Sequence, residues 1–440
     1  MTKKVFIDST DYCEEARLDT QQLKNLVKSF GPQNNFIYTN NIRQADLITY
    51  RACGHLQSKQ DESIRDIKKL LNIKQSSAIL IVWGCLVKIN SASLKDIYDG
   101  PMIGPEEAWD FFHSYFSISL NKTFDVSANT LNNYHIPKQV VKGQLSQIEK
   151  LKTRYNQIFS QRNRIFNFRK ERIRKNFWYI KIASGCKNRC TFCSDLLAYK
   201  SLKSQPINSI IRQFDFGLSK GYKHFFFSGR DLGSYGYDIC STLPELLDVI
   251  IKRYSQIDCK IYLNKISPNS LINMYPKLDA LLSSGKIVLI GSHIQSGSDR
   301  ILKLMGKKFS IREWVKIIRN IQKKYPEITL ETSIMVGFPS ETDKDFKKTI
   351  NLLHYILLDG VVIYKYNERP NLPSLRIEKR VPEIIKNKRY NQLRYHVTFC
   401  EIKKQLRQTQ FPTPSDLNLF ITISLILLRK LVRSYVDDKI

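Results

Sequence analysis

Acidic residues are scarce in this chain: 40, against 70 lysines and arginines in 440 residues, for a formal net charge of +30. Net charge speaks about partners rather than fold. A chain this basic draws polyanions, RNA or DNA first, with a merely solvated lysine-rich surface as the plain alternative. Long apolar runs are also missing. The stretch Leu417–Leu428 covers twelve residues and includes Asn418, Thr422 and Ser424, where a bilayer span needs about twenty. It reads as a terminal helix docked on the core or on a partner. A weak membrane-surface contact, helped by Arg429 and Lys430, stays open beside it. No secretory apolar segment follows Met1-Thr2-Lys3-Lys4. The cysteines are nine, an odd number, in a long chain. Together these absences argue against a disulfide framework and for a reducing, cytoplasmic setting, where clustered cysteines read as metal ligands.

What is present begins with a core: 42% hydrophobic residues over 440 positions suffice for two or three globular domains. Cys186, Cys190 and Cys193 then stand in a CxxxCxxC loop just after the apolar run Phe177-Trp178-Tyr179-Ile180-Lys181-Ile182. Iron–sulfur cubes are held by cysteine thiolates, four being needed to close a [4Fe–4S] cluster. Three thiolates leave one iron open for a small molecule, as in an open catalytic metal site. Zinc, or plain packing, is the alternative, but no fourth Cys or His lies close by in the sequence.

The first segment alternates strand and helix signals. Val5–Ile7, Asp46–Tyr50 and Ala78–Trp83 read as strands, and Cys13–Phe30 and Ser63–Leu71 as helices. This predicts a parallel α/β domain. Cys13, Cys53 and Cys85 each follow one of these strands. Loops at the carboxyl ends of parallel strands build ligand sites, so the three converge at one edge unless each is an independently buried thiol. Residues 141–176 read as a linker. Its run 162–175 is densely basic with interleaved phenylalanines, which suits phosphate contacts and base stacking, or else a solvated tethering helix. From Phe177 the alternation resumes, with strands expected at 177–182, 223–228, 259–264, 286–291, 328–336 and 360–365, and helices between them, as at Leu243–Tyr254 and Ile311–Lys324. Six βα units in a row curl into a partial barrel, and the cysteine loop falls on its carboxyl rim, where barrel active sites sit.

The loop resembles that of the radical S-adenosylmethionine enzymes, with Phe192 at the aromatic position before the last cysteine. Further runs, in order, resemble the methylthiotransferase branch: Tyr12-Cys13, Ala52-Cys53 and Gly84-Cys85 for its three N-terminal cysteine contexts; Ser228-Gly229-Arg230 through Tyr235-Gly236 for GQxxxxYG; Gln295-Ser296-Gly297-Ser298 for QSGS; Gly337-Phe338-Pro339-Ser340-Glu341-Thr342 for GFPGET; and Arg369-Pro370 through Ser374 for RxGTxA. The resemblance implies an α/β fold in four parts: an N-terminal methylthiotransferase-like domain over 1–140, the basic linker, a (βα)6 partial-barrel radical domain over 177–400, and a tail over 401–440 with no recognisable TRAM barrel. It implies S-adenosylmethionine and two [4Fe–4S] clusters, one on Cys186, Cys190 and Cys193 and one on Cys13, Cys53 and Cys85. It places Phe192, Gly229, Gln295, Ser296, Gly337 and Pro339 around the cofactor, with plain turn chemistry as the alternative for the glycines and proline. Departures are equally concrete. Asp195–Lys200 replaces IPxxRG, and Arg230 stands where the family has glutamine; Arg230 either meets an anion or lies at the surface. His55, His293 and His354 read as structural, and Cys240, Cys259 and Cys400 as packing residues.

The expected activity is insertion of a methylthio group at an unactivated C–H bond, on a tRNA base or else on a protein or peptide, with a flavodoxin or ferredoxin as electron donor. An iron–sulfur RNA-binding protein without turnover is the alternative from another class. The catalytic residues beyond the cluster ligands are not assigned by the sequence.

Overall fold

The computed structural model describes residues 2–10, 13–118, 177–408 and 421. The expected linker 141–176 with its basic run, Tyr12, and the apolar tail 417–428 except residue 421 lie outside the described residues.

The first sheet has five strands: β1 (Lys3–Ser9), β2 (Phe36–Tyr38), β3 (Leu47–Arg51), β4 (Ile79–Trp83) and β5 (Met102–Ile103). Their spatial order is β2-β1-β3-β4-β5, and every neighbouring pair is parallel. The central β3 is buried at all five positions, as a parallel strand covered on both faces must be. Helices Glu14–Phe30 and Ala108–Tyr115 cover one face, packing Leu23, Leu26, Val27 and Phe112 on Val5, Ile7, Ile81 and Trp83. Helix Gln57–Ile73 covers the other, setting Ile67 and Leu70 on Ile48, Tyr50 and Val82. Strands β2 and β5 and helix Ala108–Tyr115 were not expected: three, two and eight residues are too short to show a period.

The second sheet holds β6 (Phe177–Lys181), β9 (His224–Ser228), β10 (Lys260–Ile266), β11 (Ile287–Ser292), β12 (Thr329–Val336) and β13 (Gly360–Lys365). A two-strand antiparallel ribbon, β7 (Ala183–Ser184) with β8 (Lys203–Ser204), flanks the cysteine loop. The six strands lie in sequence order and all neighbours are parallel. Each starts or ends within two residues of the expected bounds. Helices follow the strands and pack outside. Ile311–Lys324 is typical. Ser310 and Glu313 form a reciprocal capping box at its start, and Trp314, Ile318 and Ile321 are buried at helical spacing.

The two sheets meet through helix Glu14–Phe30. Its Leu18 packs on Phe177, Tyr179, Phe226, Tyr262 and Leu289, apolar residues of the barrel strands. Asp19, one residue on, accepts from Lys181 Nζ and Arg51 Nη2, at 2.8 Å and 2.9 Å. One helix thus belongs to both cores, which fixes the strand ends of one sheet against those of the other.

Candidate active site between the two sheets

One cysteine of each set sits on a turn opened by a left-handed glycine. Gly84 has φ +106°, and a Cβ there would meet the Ala52 carbonyl oxygen at 2.9 Å. Gly185 has φ +75°, and its Cβ would meet the Ser201 carbonyl oxygen at 2.0 Å. Only glycine takes these positions without displacing backbone, and each hands the chain directly to a cysteine, Cys85 or Cys186.

Cys13, Cys53 and Cys85 come together at the carboxyl edge of the first sheet. Cys13 caps helix Glu14–Phe30, its Sγ accepting the Ala16 N–H at 3.3 Å. Cys53 follows β3, where its N–H donates to Ser63 Oγ at 2.9 Å. Cys85 follows β4 and opens a short helix. All three line one cavity of about 520 Å³. Its opposite wall is the barrel rim, with Phe192, Cys193, Ser194, Arg230, Lys265, His293, Gln295 and Tyr364 among the lining residues.

In the cysteine loop, Cys186 Sγ accepts from the N–H and Nδ2 of Asn188 at 3.3 and 3.4 Å. It also lies 4.0 Å from Asp231 Oδ2. Cys190 is buried, and Cys193 Sγ is 3.8 Å from Asp195 Oδ2. The Gly306 turn, φ +75°, packs on the Arg189 carbonyl, and Thr191 N–H donates to the Met305 carbonyl at 3.0 Å. The Ser374 N–H donates to the Thr191 carbonyl, also at 3.0 Å. Ser194 Oγ shares a 3.0 Å hydrogen bond with His55 Nδ1, tying the loop to the first domain.

Of the six residues expected around the cofactor, Phe192 and Gln295 line the cavity. Gln295 has φ +74°, its Nε2 donates to Ser333 Oγ at 3.0 Å, and its Oε1 has no partner. An unfavourable backbone held with a free acceptor is the kind of strain that gathers at functional sites. The other four are not among the lining residues. Ser296 is buried, accepting the Ser298 N–H at 3.2 Å. Gly229 packs towards Leu232 and Ala183. Gly337, φ +74°, donates its N–H to Glu341 Oε2 at 2.7 Å and backs on Lys386. Pro339 is buried beside it.

Of the two alternatives left open for Arg230, the structure takes contact with anions rather than the surface. The Arg230 side chain is 9% exposed, with Nε 2.9 Å from Glu15 Oε2, Nη1 3.4 Å from Asp195 Oδ1, and Nη2 donating to Tyr199 at 3.2 Å. Nη2 also lies 3.8 Å from Cys85 Sγ. His55 and His293, expected to be structural, also line the cavity. Cys240 is exposed rather than packed, whereas Cys259 and Cys400 are buried. His354 does pack structurally, with Nε2 3.0 Å from His396 Nδ1. The sequence carried no signal for Lys265, Glu15 or Tyr199, which a motif scan passes over.

Burial dominates the electrostatics. It pushes the Cys53 thiol up to about 11, raises Cys85 and Cys186, and raises Cys193 well above its ordinary value. Burial lowers His55, and takes His293 to about 4, so its imidazole is neutral at pH 7. Burial also opposes the Asp195 carboxylate, yet Arg230, His55 and Lys265 hold it below its ordinary range.

Does this site suit iron–sulfur clusters? Arg369 supplies a test. It is 2% exposed and donates from Nη1 to Gln57 and Gln60 Oε1 at 3.0 and 2.9 Å, while Nε and Nη2 have no partner. Burial pulls its pKa down, opposed by Cys53 and Asp61. A buried guanidinium without a bonded anion is costly. An anionic cube on the three thiolates beside it removes that cost, and binding releases the thiol protons that burial retains. The residues therefore fit.

Known proteins place this arrangement. The model of the Radical SAM superfamily matches residues 180–353, and that of the uncharacterized protein family UPF0004 matches 4–102. The ribosomal protein uS12 methylthiotransferase RimO of Clostridium tetani is 27% identical over 393 residues, 87% of this chain and 79% of that protein. The threonylcarbamoyladenosine tRNA methylthiotransferase MtaB of Thermotoga maritima is 33% identical over 234 residues, 52% of each. The tRNA-2-methylthio-N(6)-dimethylallyladenosine synthase of Clostridium novyi is 25% identical over 89% of this chain and 80% of that one. In fold, the radical S-adenosylmethionine methyltransferase TsrM of Kitasatospora setae superposes with a TM-score of 0.56 at 11% identity, covering 85% of this chain and 77% of that one. Two family models in the order of the two sheets, and relatives of one activity across most of the length, make this chain a member of the radical S-adenosylmethionine methylthiotransferases, transferases that work with S-adenosylmethionine and [4Fe–4S] clusters.

Proposed function

We propose that the chain inserts a methylthio group at an unactivated C–H bond of a tRNA base. The observation that carries this reading is the single cavity of about 520 Å³ bounded by Cys13, Cys53 and Cys85 on one side and by Cys193 on the other. Cys186, Cys190 and Cys193 would hold one cube at its rim, and Cys13, Cys53 and Cys85 would hold the other. Bound there, the loop cube would supply one-electron reduction of S-adenosylmethionine, and the other would supply an open iron for the sulfur. Everything else is positioning: the target C–H bond and the sulfur must lie in one enclosed space, where proximity replaces diffusion.

The chain's own residues fill those roles. Helix Glu14–Phe30, pinned to both sheets, holds the two thiol sets at a fixed separation. Phe192 and Tyr364 give flat walls on which a base can stack. Gln295 Oε1 and His293 Nδ1, both buried and unpartnered, offer acceptor and donor positions to its edge. The +30 charge draws the polyanion. The reaction needs a reducing compartment, the cytoplasm, and a small reductant such as a flavodoxin or ferredoxin. Among the described residues no helix is long and apolar enough to cross a membrane.

A protein substrate is the second reading, favoured because the relative that acts on ribosomal protein uS12 matches over 87% of this chain. Anaerobic incubation of the reconstituted chain with reductant, S-adenosylmethionine and unmodified bulk tRNA tests the choice. Nucleosides that gain the mass of a methylthio group are expected. Gain on ribosomal protein with none on any nucleoside reverses the choice. Absence of 5′-deoxyadenosine removes the enzyme reading altogether.

A further inference from the structure

We propose that the chain holds its two iron–sulfur sites at different reduction potentials, the Cys13/Cys53/Cys85 site above the Cys186/Cys190/Cys193 site, with Arg230 as the residue that sets the gap. This rests on the reading above that both thiol sets hold a cube.

The argument is the charge around each sulfur. Every thiol of the first set has an arginine for company. Arg230 Nη2 lies 3.8 Å from Cys85 Sγ. Arg51, fully buried with its Nε unpartnered, acts on Cys85 and Cys13. Arg369 acts on Cys53. The loop set has carboxylates as its nearest charged neighbours, although Asp195 is itself paired with Arg230 and also acts on Cys85, and the first set has Glu15 paired with the same arginine. Asp231 Oδ2 stands 4.0 Å from Cys186 Sγ, and Asp195 Oδ2 3.8 Å from Cys193 Sγ. Asp231 is held by neutral donors only: Asn188 Nδ2 at 2.6 Å, Ser234 Oγ at 2.7 Å, and the N–H groups of Ser267 and Gly233 at 2.8 and 3.1 Å. Among the described residues it makes no ion pair.

A reduced cube carries one more negative charge than an oxidised one. Cations beside its sulfurs stabilise the reduced form and raise the potential, and carboxylates lower it. The Asn188 N–H groups on Cys186 oppose this difference, but they are neutral dipoles, roughly half as strong as charged donors. Arg230 is the pivot because it reaches the first set from the barrel, bridging from the end of β9 to Cys85 while pairing with Glu15 and Asp195. Lys265 adds a second cation, its Nζ 3.5 Å from Glu15 Oε1. Glutamine at this position would bring no charge. The consequence for turnover is an order. Electrons entering the protein settle first beside the sulfur-bearing wall, which leaves the loop site as the stronger reductant facing S-adenosylmethionine.

Potentiometric titration followed by electron paramagnetic resonance tests this on the reconstituted full chain. Cys186→Ala/Cys190→Ala/Cys193→Ala isolates the first site, and Cys13→Ala/Cys53→Ala/Cys85→Ala isolates the second. The first site is expected to be at least tenfold easier to reduce, which is ~59 mV for a one-electron couple. In the first background, Arg230→Gln should lower that midpoint and Glu15→Gln should raise it. Opposite signs mark electrostatics; a structural disturbance has no reason to split the pair this way. Equal midpoints, a reversed order, or no response to either substitution overturns the proposal. If Arg230→Gln does not retain iron, Glu15→Gln decides alone: a rise supports the assignment, and an unchanged or lower midpoint defeats it. If the first background takes up no iron at all, the two-cube reading itself falls and takes this inference with it, an outcome distinct from iron bound at the wrong potential.

Discussion

The two thiol sets reach one cavity by different routes. The loop set lies within eight residues, Cys186 to Cys193, and its geometry is local: a left-handed glycine, a tight turn and donors from Asn188. The first set is spread over 73 residues, Cys13 to Cys85, and exists only where β1, β3 and β4 end side by side. A local site survives damage to the sheet around it, whereas an assembled site is only as stable as the core that aligns it. That difference can be tested at several magnitudes.

The largest effect comes from the ligands. Cys186→Ala should remove about four of about eight irons and abolish 5′-deoxyadenosine formation. Cys85→Ala should also cost about four irons but leave S-adenosylmethionine cleavage in place. Iron analysis and chromatography of the nucleoside read both; loss of cleavage in the second variant would break the distinction.

A core substitution comes next. Trp83, 1% exposed, ends β4 and meets Phe112 edge-on at 5.3 Å. Trp83→Ala should cost about 3–5 kcal/mol. The first set should then lose iron while the loop set keeps it, as iron counts on the purified variant will show.

A smaller effect concerns pH. Burial lowers His293 to about 4, against an ordinary value near 6.5. The folded form therefore excludes a proton that the unfolded chain binds. Its stabilising share is complete above about pH 6.5 and is lost as pH falls towards about 4. Urea unfolding of the metal-free chain should show about 1 kcal/mol less stability at pH 5.5 than at pH 7.5 from this group. His293→Gln should flatten that slope.

The smallest is a control remote from both sets. Ser310→Ala removes the capping box of helix Ile311–Lys324 and should cost about 1 kcal/mol with no change in iron content.

The same contrast explains what could be read in advance. Strand positions in the barrel were legible because β6 to β13 alternate with amphipathic helices in strict order, and the loop thiols because their spacing is itself the signal. The convergence of Cys13, Cys53 and Cys85 was legible as topology. The surroundings of the sulfurs were not. Glu15, the Asp195–Tyr199 segment and Arg230 lie far apart in the sequence, and only the junction between the sheets brings them to Cys85. His55 looked incidental because its partner, Ser194, is 139 positions away. Short edge strands and Ala108–Tyr115 escaped for want of length, and Cys240 proved exposed because its turn, φ +51°, carries it outward.

The segment from Arg369 to Ser374 closes the seam: its arginine grips Gln57 and Gln60, and its serine backbone grips Thr191. These contacts come from a segment that leaves the ribosome after all six thiols. Until then, six sulfurs stand open to oxygen and stray metals in a nascent chain that cannot yet shelter them. Yield of iron-loaded protein should therefore depend on how oxygen-poor the cell is until that segment has docked.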